Sequence, residues 1–270
     1  MCKDCGCSGH HHEHHHDHDH GEHGAHGHAD GAGVHTHRRP DGTVYTHTHD
    51  AAQTREITLG DAVLSANDRI AEANRAWFRA RSIKVLNLIS SPGSGKTTLL
   101  EKTLPELTRR GIRAAVIVGD QYGSLDADRM KASGVPVTQI ETHSSCHLDA
   151  ARIQAVLESA VPEGTQLLLI ENVGNLVCPV AFDLGETAKI ALLSTPEGEE
   201  KPLKYPALFA AADYVIVTKI DLEKALEWNY DLCLKNIHAI NRDAKIIRVA
   251  AKTREGLNHW MEVLTDWVHG

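Results

Sequence analysis

The segment Ser90-Ser91-Pro92-Gly93-Ser94-Gly95-Lys96-Thr97-Thr98 is a glycine-rich turn between two regular patterns. An apolar run over residues 83–89 precedes it and predicts a strand, and a helical pattern over residues 96–110 follows it. A turn of this kind brings backbone N–H groups and a helix N-terminus close to an anion. The sequence therefore predicts a phosphate-binding loop, although Ser90 stands where the consensus has glycine.

The residues of this loop have separate predicted roles. We expect Lys96 to contact the β- and γ-phosphates of a nucleotide and Thr97 to coordinate Mg²⁺. The complete set predicted to bind nucleotide in the loop is Gly93, Ser94, Gly95, Lys96, Thr97 and Thr98.

The rest of the chain after residue 56 alternates strand and helix patterns. Further apolar runs predict strands over residues 114–118, 137–140, 167–170, 190–193, 214–218 and 246–250. Helical patterns cover residues 61–81, 126–133, 148–160, 222–241 and 255–268. Continuous apolar strands separated by helices predict an α/β fold with a mostly parallel sheet flanked by helices. The polar segment 197–206 is predicted to be an exposed loop.

A second motif predicts the base. Thr218-Lys219-Ile220-Asp221 ends a strand where guanine-nucleotide-binding proteins carry Asn-Lys-x-Asp. Asp221 is positioned to accept hydrogen bonds from N1–H and the 2-amino group of guanine, which adenine cannot offer in the same way. This predicts GTP, with Thr218 in place of asparagine removing one base contact. Alone, Asp221 is also read as an ordinary helix cap; Lys96 and Lys219 together favour base recognition. Ala251 and Lys252 resemble the second guanine-contacting loop.

Carboxylates at two strand ends predict the catalytic groups. Glu171-Asn172-Val173-Gly174 replaces the usual Asp-x-x-Gly that senses the γ-phosphate, and Gly174 is expected to offer its N–H. Asp120 is a further candidate for coordinating Mg²⁺ or orienting water. The predicted catalytic residues are thus Lys96, Asp120 and Glu171. Asn175 follows the glycine where fast GTPases often have glutamine, so we expect slow hydrolysis.

Three side chains predict a transition-metal site in the same region. Cys146 and His147 are adjacent, and Cys178 follows Gly174 by four residues. Thiolates and imidazole suit nickel, zinc and copper. The alternative, equally weighted from spacing, is that both cysteines are small buried hydrophobes and that His147 caps a helix. Cys233 is predicted to lie in the core.

The first 55 residues have a different composition. Cys2, Cys5 and Cys7 lie within seven residues, and fifteen of the 20 histidines fall between positions 10 and 49. Because residues 1–49 contain no Ile, Leu, Phe or Trp, they cannot bury enough apolar surface to fold alone. We predict a disordered, Cys/His-rich metal-binding tail over residues 1–55 and a GTPase domain over residues 56–270.

Composition also excludes several classes. A net charge of −8 gives no sign of nucleic-acid binding. No apolar segment is long enough to cross a bilayer, and no signal-peptide core follows Met1. Clustered thiols without a disulfide framework favour a reduced, cytoplasmic protein.

From about Leu59 onward the chain resembles the hydrogenase nickel-incorporation GTPases, the HypB family, in the metallochaperone branch of P-loop GTPases. The motifs that carry the resemblance are the phosphate-binding loop, Gly119-Asp120-Gln121, Cys146-His147-Leu148-Asp149-Ala150, Glu171-Asn172-Val173-Gly174-Asn175-Leu176-Val177-Cys178-Pro179 and Lys219-Ile220-Asp221. The resemblance implies GTP hydrolysis coupled to nickel delivery to the large subunit of [NiFe]-hydrogenase.

The resemblance also implies partners and metal sites. It implies a homodimer that forms with GTP and a partner nickel metallochaperone, HypA. Cys146, His147 and Cys178 would hold nickel or zinc at the dimer interface, and Cys2, Cys5 and Cys7 would form a tight nickel site. The histidines would store nickel. Two alternatives remain: a urease-maturation GTPase, and a protein that mainly stores nickel.

Overall fold

The computed structural model describes residues 34–38, 44–48, 51–120, 125–143 and 145–270. The chain divides into two units, Met1–Val63 and Leu64–Gly270. Among the residues described, no helix has both the length and the apolar character needed to span a membrane.

Within the second unit, strands and helices alternate as predicted. The strands are β3 (Lys84–Ser90), β4 (Ala114–Asp120), β5 (Val137–Glu141), β6 (Leu167–Glu171), β7 (Ala188–Ser194), β8 (Tyr214–Thr218) and β9 (Lys245–Val249). Helix α1 (Ala51–Ala80) begins in the first unit and continues into the second. The other helices are α2 (Lys96–Arg109), α3 (Leu125–Lys131), α4 (Ala150–Ala160), α5 (Cys178–Ala181), α6 (Lys201–Lys204), α7 (Pro206–Ala211), α8 (Glu223–Leu226), α9 (Tyr230–Ile240) and α10 (Leu257–His269).

The seven strands form one sheet in the order β5-β4-β6-β3-β7-β8-β9. Every neighbouring pair is parallel, with Leu86 of β3 and Val116 of β4 both in register with Leu169 of β6. Parallel sheets need helices on both faces, and this explains why the central strands are continuously apolar and buried. The predicted α/β P-loop fold is confirmed.

Alternating residues of each strand supply two hydrophobic layers. Leu86 and Leu88 pack with residues of α2 and α10 on one face of the sheet, whereas Val85 packs with residues of α1 and α4 on the other. Cys233 lies fully buried in a further cluster with Phe209, as predicted, and burial raises the pKa of its thiol to about 12.

Two predictions about local structure were wrong. The helix predicted over residues 222–241 is broken into α8 and α9, because Glu227 adopts a left-handed conformation with φ of 52° and Asn229 caps α9. The segment 197–206 is not an irregular loop: it includes α6 and the start of α7. A capping box formed by Ser194 and Glu197 begins this helical segment.

The first unit contains two strands that the tail prediction did not include. Strands β1 (Val34–Arg38) and β2 (Val44–Thr48) pair antiparallel. Their alternating Val and Thr residues favour strand pairing, although an isolated two-stranded hairpin is marginally stable in water.

The start of α1 also differs from the prediction. Helix α1 begins at Ala51, ten residues before the predicted start, because good helix formers precede Asp61. The predictions for residues 1–33, including the sites at Cys2, Cys5 and Cys7, fall outside the described residues. The predicted boundary after residue 55 falls inside α1 and stays a prediction.

Helix α1 packs closely against Gly185, which follows α5. Gly185 has φ of +90°, and a Cβ atom there would lie 2.6 Å from the carbonyl oxygen of Ala71 and 2.8 Å from the backbone nitrogen of Arg75. Gly111 provides a comparison, since its φ is +72° but a Cβ would meet nothing within 4 Å.

We therefore expect Gly185→Ala to destabilise the protein by about 2–5 kcal/mol, because left-handed strain and overpacking add together. Gly111→Ala should cost only the strain, about 1–2 kcal/mol. Urea unfolding of both variants measures the difference. Equal losses would contradict the close packing of α1 on Gly185.

Candidate functional site

The phosphate-binding loop joins β3 to α2 with the geometry its sequence predicts. Strand β3 ends at Ser90 and α2 begins at Lys96. Gly93 and Gly95 have φ of +74° and +102°, values that only glycine adopts at little cost. The loop therefore turns tightly enough to direct its backbone N–H groups towards a ligand beyond the strand.

Lys96 is buried inside this loop. Its Nζ donates a hydrogen bond of 2.8 Å to the hydroxyl of Ser90, which also accepts a hydrogen bond from Ser94. Burial lowers the pKa of Lys96. Ser90, the departure from the consensus glycine, thus gives the lysine a polar partner.

Glu171 lies opposite the loop, at the end of β6. The hydroxyl of Thr97 donates to Oε1 of Glu171 at 2.7 Å, while Oε2 is buried and has no hydrogen-bond partner among the described residues. Burial raises the pKa of Glu171 to about 7. Such an unpartnered oxygen beside a hydroxyl, with Asp120 lining the same cavity, is a set of hard oxygen donors that fits Mg²⁺.

A cavity of about 530 Å³ joins these groups. Its walls bring together most residues predicted to bind phosphate and magnesium: Gly93, Gly95, Lys96, Thr97, Thr98, Asp120, Glu171 and Gly174. Lys219, predicted as part of the base motif, also lines this cavity. Gly174 lies directly against the loop, because a Cβ atom there would come within 2.9 Å of Cγ of Pro92. Any larger side chain at position 174 would push the two loops apart.

A second cavity of about 210 Å³ is lined by the residues predicted to bind the base. Asp221, Ala251 and Lys252 lie on its wall, and it shares Gly95, Thr98 and Lys219 with the first cavity. The two cavities therefore adjoin each other, and their linings match the predicted phosphate and base ends of one nucleotide site.

Ser94 lies behind the second cavity and does not line it. Its carbonyl oxygen accepts a hydrogen bond of 2.6 Å from the hydroxyl of Thr218. Lys219 donates from Nζ to the carbonyl oxygen of Gly93 at 2.7 Å. These two bonds join the end of β8 to the phosphate-binding loop, so Thr218 in place of asparagine still supports the loop.

The three predicted metal ligands of the folded domain lie together. The ligand atoms of Cys146, His147 and Cys178 are all within 4.8 Å of one another, and Sγ of Cys146 is 3.7 Å from Nδ1 of His147. The ring of Phe182 packs on His147 with centroids 3.9 Å apart. Burial lowers the pKa of His147, which favours the neutral imidazole that binds metal. The arrangement fits a soft transition metal.

Helix α1 ties together the two segments that carry these ligands. Asn67 accepts a hydrogen bond of 2.9 Å from the backbone N–H of Ala150 and donates one of 2.8 Å to the carbonyl of Asp183. Asn74 donates to the carbonyls of Ala150 and Leu184, at 2.9 and 3.2 Å. The beginning of α4 and the segment after α5 therefore share one support.

Several residues of the site were missed from sequence. Asp126 and Arg129 line the first cavity, because α3 packs near α2. Glu197 lies behind the phosphate-binding loop: although burial opposes its ionisation, hydrogen bonds from Ser91 and Ser194 hold its pKa below the ordinary value. Nothing local marks these contacts, except that Ser194 and Glu197 have the spacing of a capping box.

The fold, the phosphate-binding loop and the paired cavities define the nucleotide-binding domain of a P-loop protein of the GTPase class. The family model described as CobW/HypB/UreG, nucleotide-binding domain, matches residues 84–248. The hydrogenase maturation factor HypB of Azotobacter chroococcum mcd 1 is 48% identical over 82% of this chain and 72% of that protein.

Two comparisons with Helicobacter pylori proteins agree. The hydrogenase/urease maturation factor HypB of strain 26695 is 35% identical over 78% of this chain and 88% of that protein. A crystal structure of HypB from this organism in complex with nickel superimposes with a TM-score of 0.70 at 37% identity, covering 74% of this chain and 94% of that one. The chain belongs to the HypB family of hydrogenase maturation factors, which confirms the predicted resemblance.

The buried carboxyl of Glu171 generates a pH prediction for the nucleotide-free protein. The unfolded chain ionises this group near 4.5, whereas the folded chain keeps it protonated until about 7. The folded state therefore binds more protons in this window, so its stability falls as pH rises from about 4.5 to 7. Glu171→Gln stays neutral and loses that dependence.

The difference in unfolding free energy between Glu171→Gln and wild type should increase by about 2–3 kcal/mol in favour of the variant as the pH is raised from about 5 to 8. Urea unfolding without nucleotide or Mg²⁺ measures it, with the exposed Glu163→Gln as control. Parallel pH profiles of Glu171→Gln and wild type would show that Glu171 ionises normally in the fold.

Proposed function

We propose that this protein is a GTP-hydrolysing nickel metallochaperone that inserts nickel during [NiFe]-hydrogenase maturation. One observation carries the proposal: the segment from Glu171 to Cys178 begins in the nucleotide cavity and ends in the metal group. Nucleotide and metal would therefore be bound at the two ends of an eight-residue segment. The family and the nickel complex of its H. pylori member support the choice of metal.

The nucleotide site supplies the charges that GTP hydrolysis needs. Backbone N–H groups of the loop and Lys96 would stabilise the negative charge that develops on the phosphates. Thr97 and Asp120, with Glu171 nearby, would hold Mg²⁺, which neutralises phosphate charge. The N–H of Gly174 would contact the γ-phosphate.

Nickel is the cargo and not a resident cofactor in this proposal. Cys146 and Cys178 would bind it as thiolates and His147 as a neutral imidazole, the ligands that suit nickel and also zinc. Three ligands leave coordination positions open, which suits a site that must receive and release its metal.

The remaining roles follow from family membership and from the tail composition. We propose a GTP-dependent homodimer that receives nickel with HypA and delivers it to the hydrogenase large subunit in the cytoplasm. Cys2, Cys5 and Cys7 would form a loading site, and the tail histidines would store nickel. Three thiolates with the amine of Cys2 suit square-planar nickel once Met1 is removed.

Urease maturation is a second candidate function. It is favoured by the H. pylori relative, which is a hydrogenase/urease maturation factor. Complementation of strains lacking each maturation system separates the two activities.

The base cavity generates a specificity prediction. Asp221→Asn replaces an acceptor with a donor towards the base, so GTP should bind at least tenfold more weakly. Xanthosine triphosphate, whose C2 oxygen accepts a hydrogen bond, should gain affinity. Fluorescence titration with both nucleotides tests this. Retained guanine preference would remove Asp221 from the base site.

The coupling itself generates the main test. Nickel affinity and release rate should differ between the GDP complex and the complex with a non-hydrolysable GTP analogue, because the Glu171–Cys178 segment contacts both ligands. Chelator competition on the full chain measures nickel binding, and the same measurement on Cys146→Ala, which removes one ligand of the folded domain, gives the contribution of the tail to be subtracted. Identical nickel binding in both nucleotide states would overturn the proposed function.

A further inference from the structure

We infer that Asn172 is a positioning residue that makes the geometry of His147 depend on the state of the nucleotide loop. The inference rests on the proposed function, and it names the group through which nucleotide and metal are coupled. Asn172 lines the nucleotide cavity, follows Glu171 directly and is 1% exposed.

The side chain of Asn172 bridges the nucleotide loop and the metal loop. Its Oδ1 accepts a hydrogen bond of 3.0 Å from the backbone N–H of Val173 in its own loop. The same oxygen accepts one of 3.2 Å from the backbone N–H of Leu148. Leu148 immediately follows His147, so this bond reaches the peptide unit that carries a metal ligand.

That peptide unit is held at both of its polar ends. Its N–H is bonded to Asn172, and its carbonyl oxygen, which belongs to His147, accepts a hydrogen bond of 3.2 Å from Arg152. The side chain of Leu148 is fully buried against Gly119, where a Cβ atom would lie 2.7 Å from Cγ of Leu148. The direction of the His147 side chain is therefore set by groups on β4, on α4 and in the loop that follows β6.

A buried chain of polar groups fixes the orientation of the Asn172 amide. Its Nδ2 donates to Oδ1 of Asn87 at 3.2 Å, and Nδ2 of Asn87 donates to Oε1 of Glu186 at 3.2 Å. Lys189 pairs with the same glutamate oxygen at 3.0 Å. Because each group has its partner, the amide keeps its oxygen towards Leu148 and cannot flip without leaving buried groups unpaired.

This geometry links movement of the two loops. If γ-phosphate draws the N–H of Gly174 towards the nucleotide, the neighbouring Asn172 shifts with its loop. The N–H of Leu148 is buried, so it must follow the Asn172 oxygen or lose its hydrogen bond at a large cost. His147 then moves relative to Cys146. Coupling of this kind typically changes affinity about 5- to 150-fold.

The test uses reciprocity in the full chain. Coupling between two ligands is mutual. If nickel affinity differs by some factor between the GTP-analogue complex and the GDP complex, then nickel must change the ratio of the affinities for the GTP analogue and for GDP by the same factor. Fluorescent nucleotides are titrated with saturating Ni²⁺ and with a chelator. Measuring from the nucleotide side keeps nickel held by the tail from masking the metal site.

In Asn172→Ala, nickel should change the ratio of the affinities for the GTP analogue and for GDP by no more than about twofold. Asn236→Ala is the control, since it removes another buried asparagine, whose Nδ2 donates to the carbonyl of Glu199 at 2.9 Å. Its coupling should match that of the wild type. Asn172→Leu repeats the test with side-chain volume kept. A cooperative urea unfolding transition, measured without nucleotide or metal, shows that each variant is folded.

The outcomes separate the inference from the proposed function. Coupling in wild type and Asn236→Ala that is lost in both Asn172 variants supports the role of Asn172. Coupling that persists in Asn172→Ala or Asn172→Leu overturns the inference and leaves the proposed function intact. A wild-type ratio that nickel does not change overturns both.

Discussion

The seven strands of the main sheet all run parallel, and this shared direction places the functional groups of the domain. In a parallel sheet every strand ends at the same edge, so the loops that follow the strands gather there. Ser90, Asp120, Glu171 and Thr218 are each the last residue of a strand. Residues as far apart in sequence as Pro92 and Lys252 thus line one pair of adjoining cavities.

Burial at this edge costs stability and prepares the site. Lys96 and Glu171 are both buried, and burial disfavours the charged form of each, lowering one pKa and raising the other. Phosphate charge and a divalent cation would reverse these costs, because each brings the opposite charge into a site that excludes water. The nucleotide-free domain is therefore less stable at neutral pH than it would be without these two buried ionisable groups, and ligand binding recovers that stability.

The sequence predicts what depends on local pattern. Strand and helix periodicity located all seven strands of the main sheet, and the glycine-rich loop was predicted with both flanking elements. Cys146, His147 and Cys178 were predicted as one group, although spacing alone could not choose between metal binding and simple burial. Their convergence within 4.8 Å follows from the parallel topology, which places the loops after β5 and β6 on the same edge.

Pattern does not reveal pairs of polar residues that are distant in sequence. Asn172 bonds Asn87 across 85 positions, and Asn74 bonds Ala150 across 76. An isolated asparagine has the same sequence signal in a loop, a cap or a buried network, so only the assembled sheet identifies these roles. The break between α8 and α9 was missed for a related reason. The helical period of apolar residues continues through Glu227, but the backbone of Glu227 is left-handed and ends the helix.

The placement of the metal ligands shows where loop movement can be absorbed. His147 directly precedes two anchored residues: Leu148, which is bonded to the nucleotide loop, and Ala150, which is bonded to α1. Cys178 lies between Gly174, which packs on Pro92, and Asp183, which is tied to α1. Each ligand segment is thus anchored both to α1 and to the nucleotide loop. Because α1 and the sheet are packed, a shift of the nucleotide loop changes the geometry between these anchors, where the metal would bind.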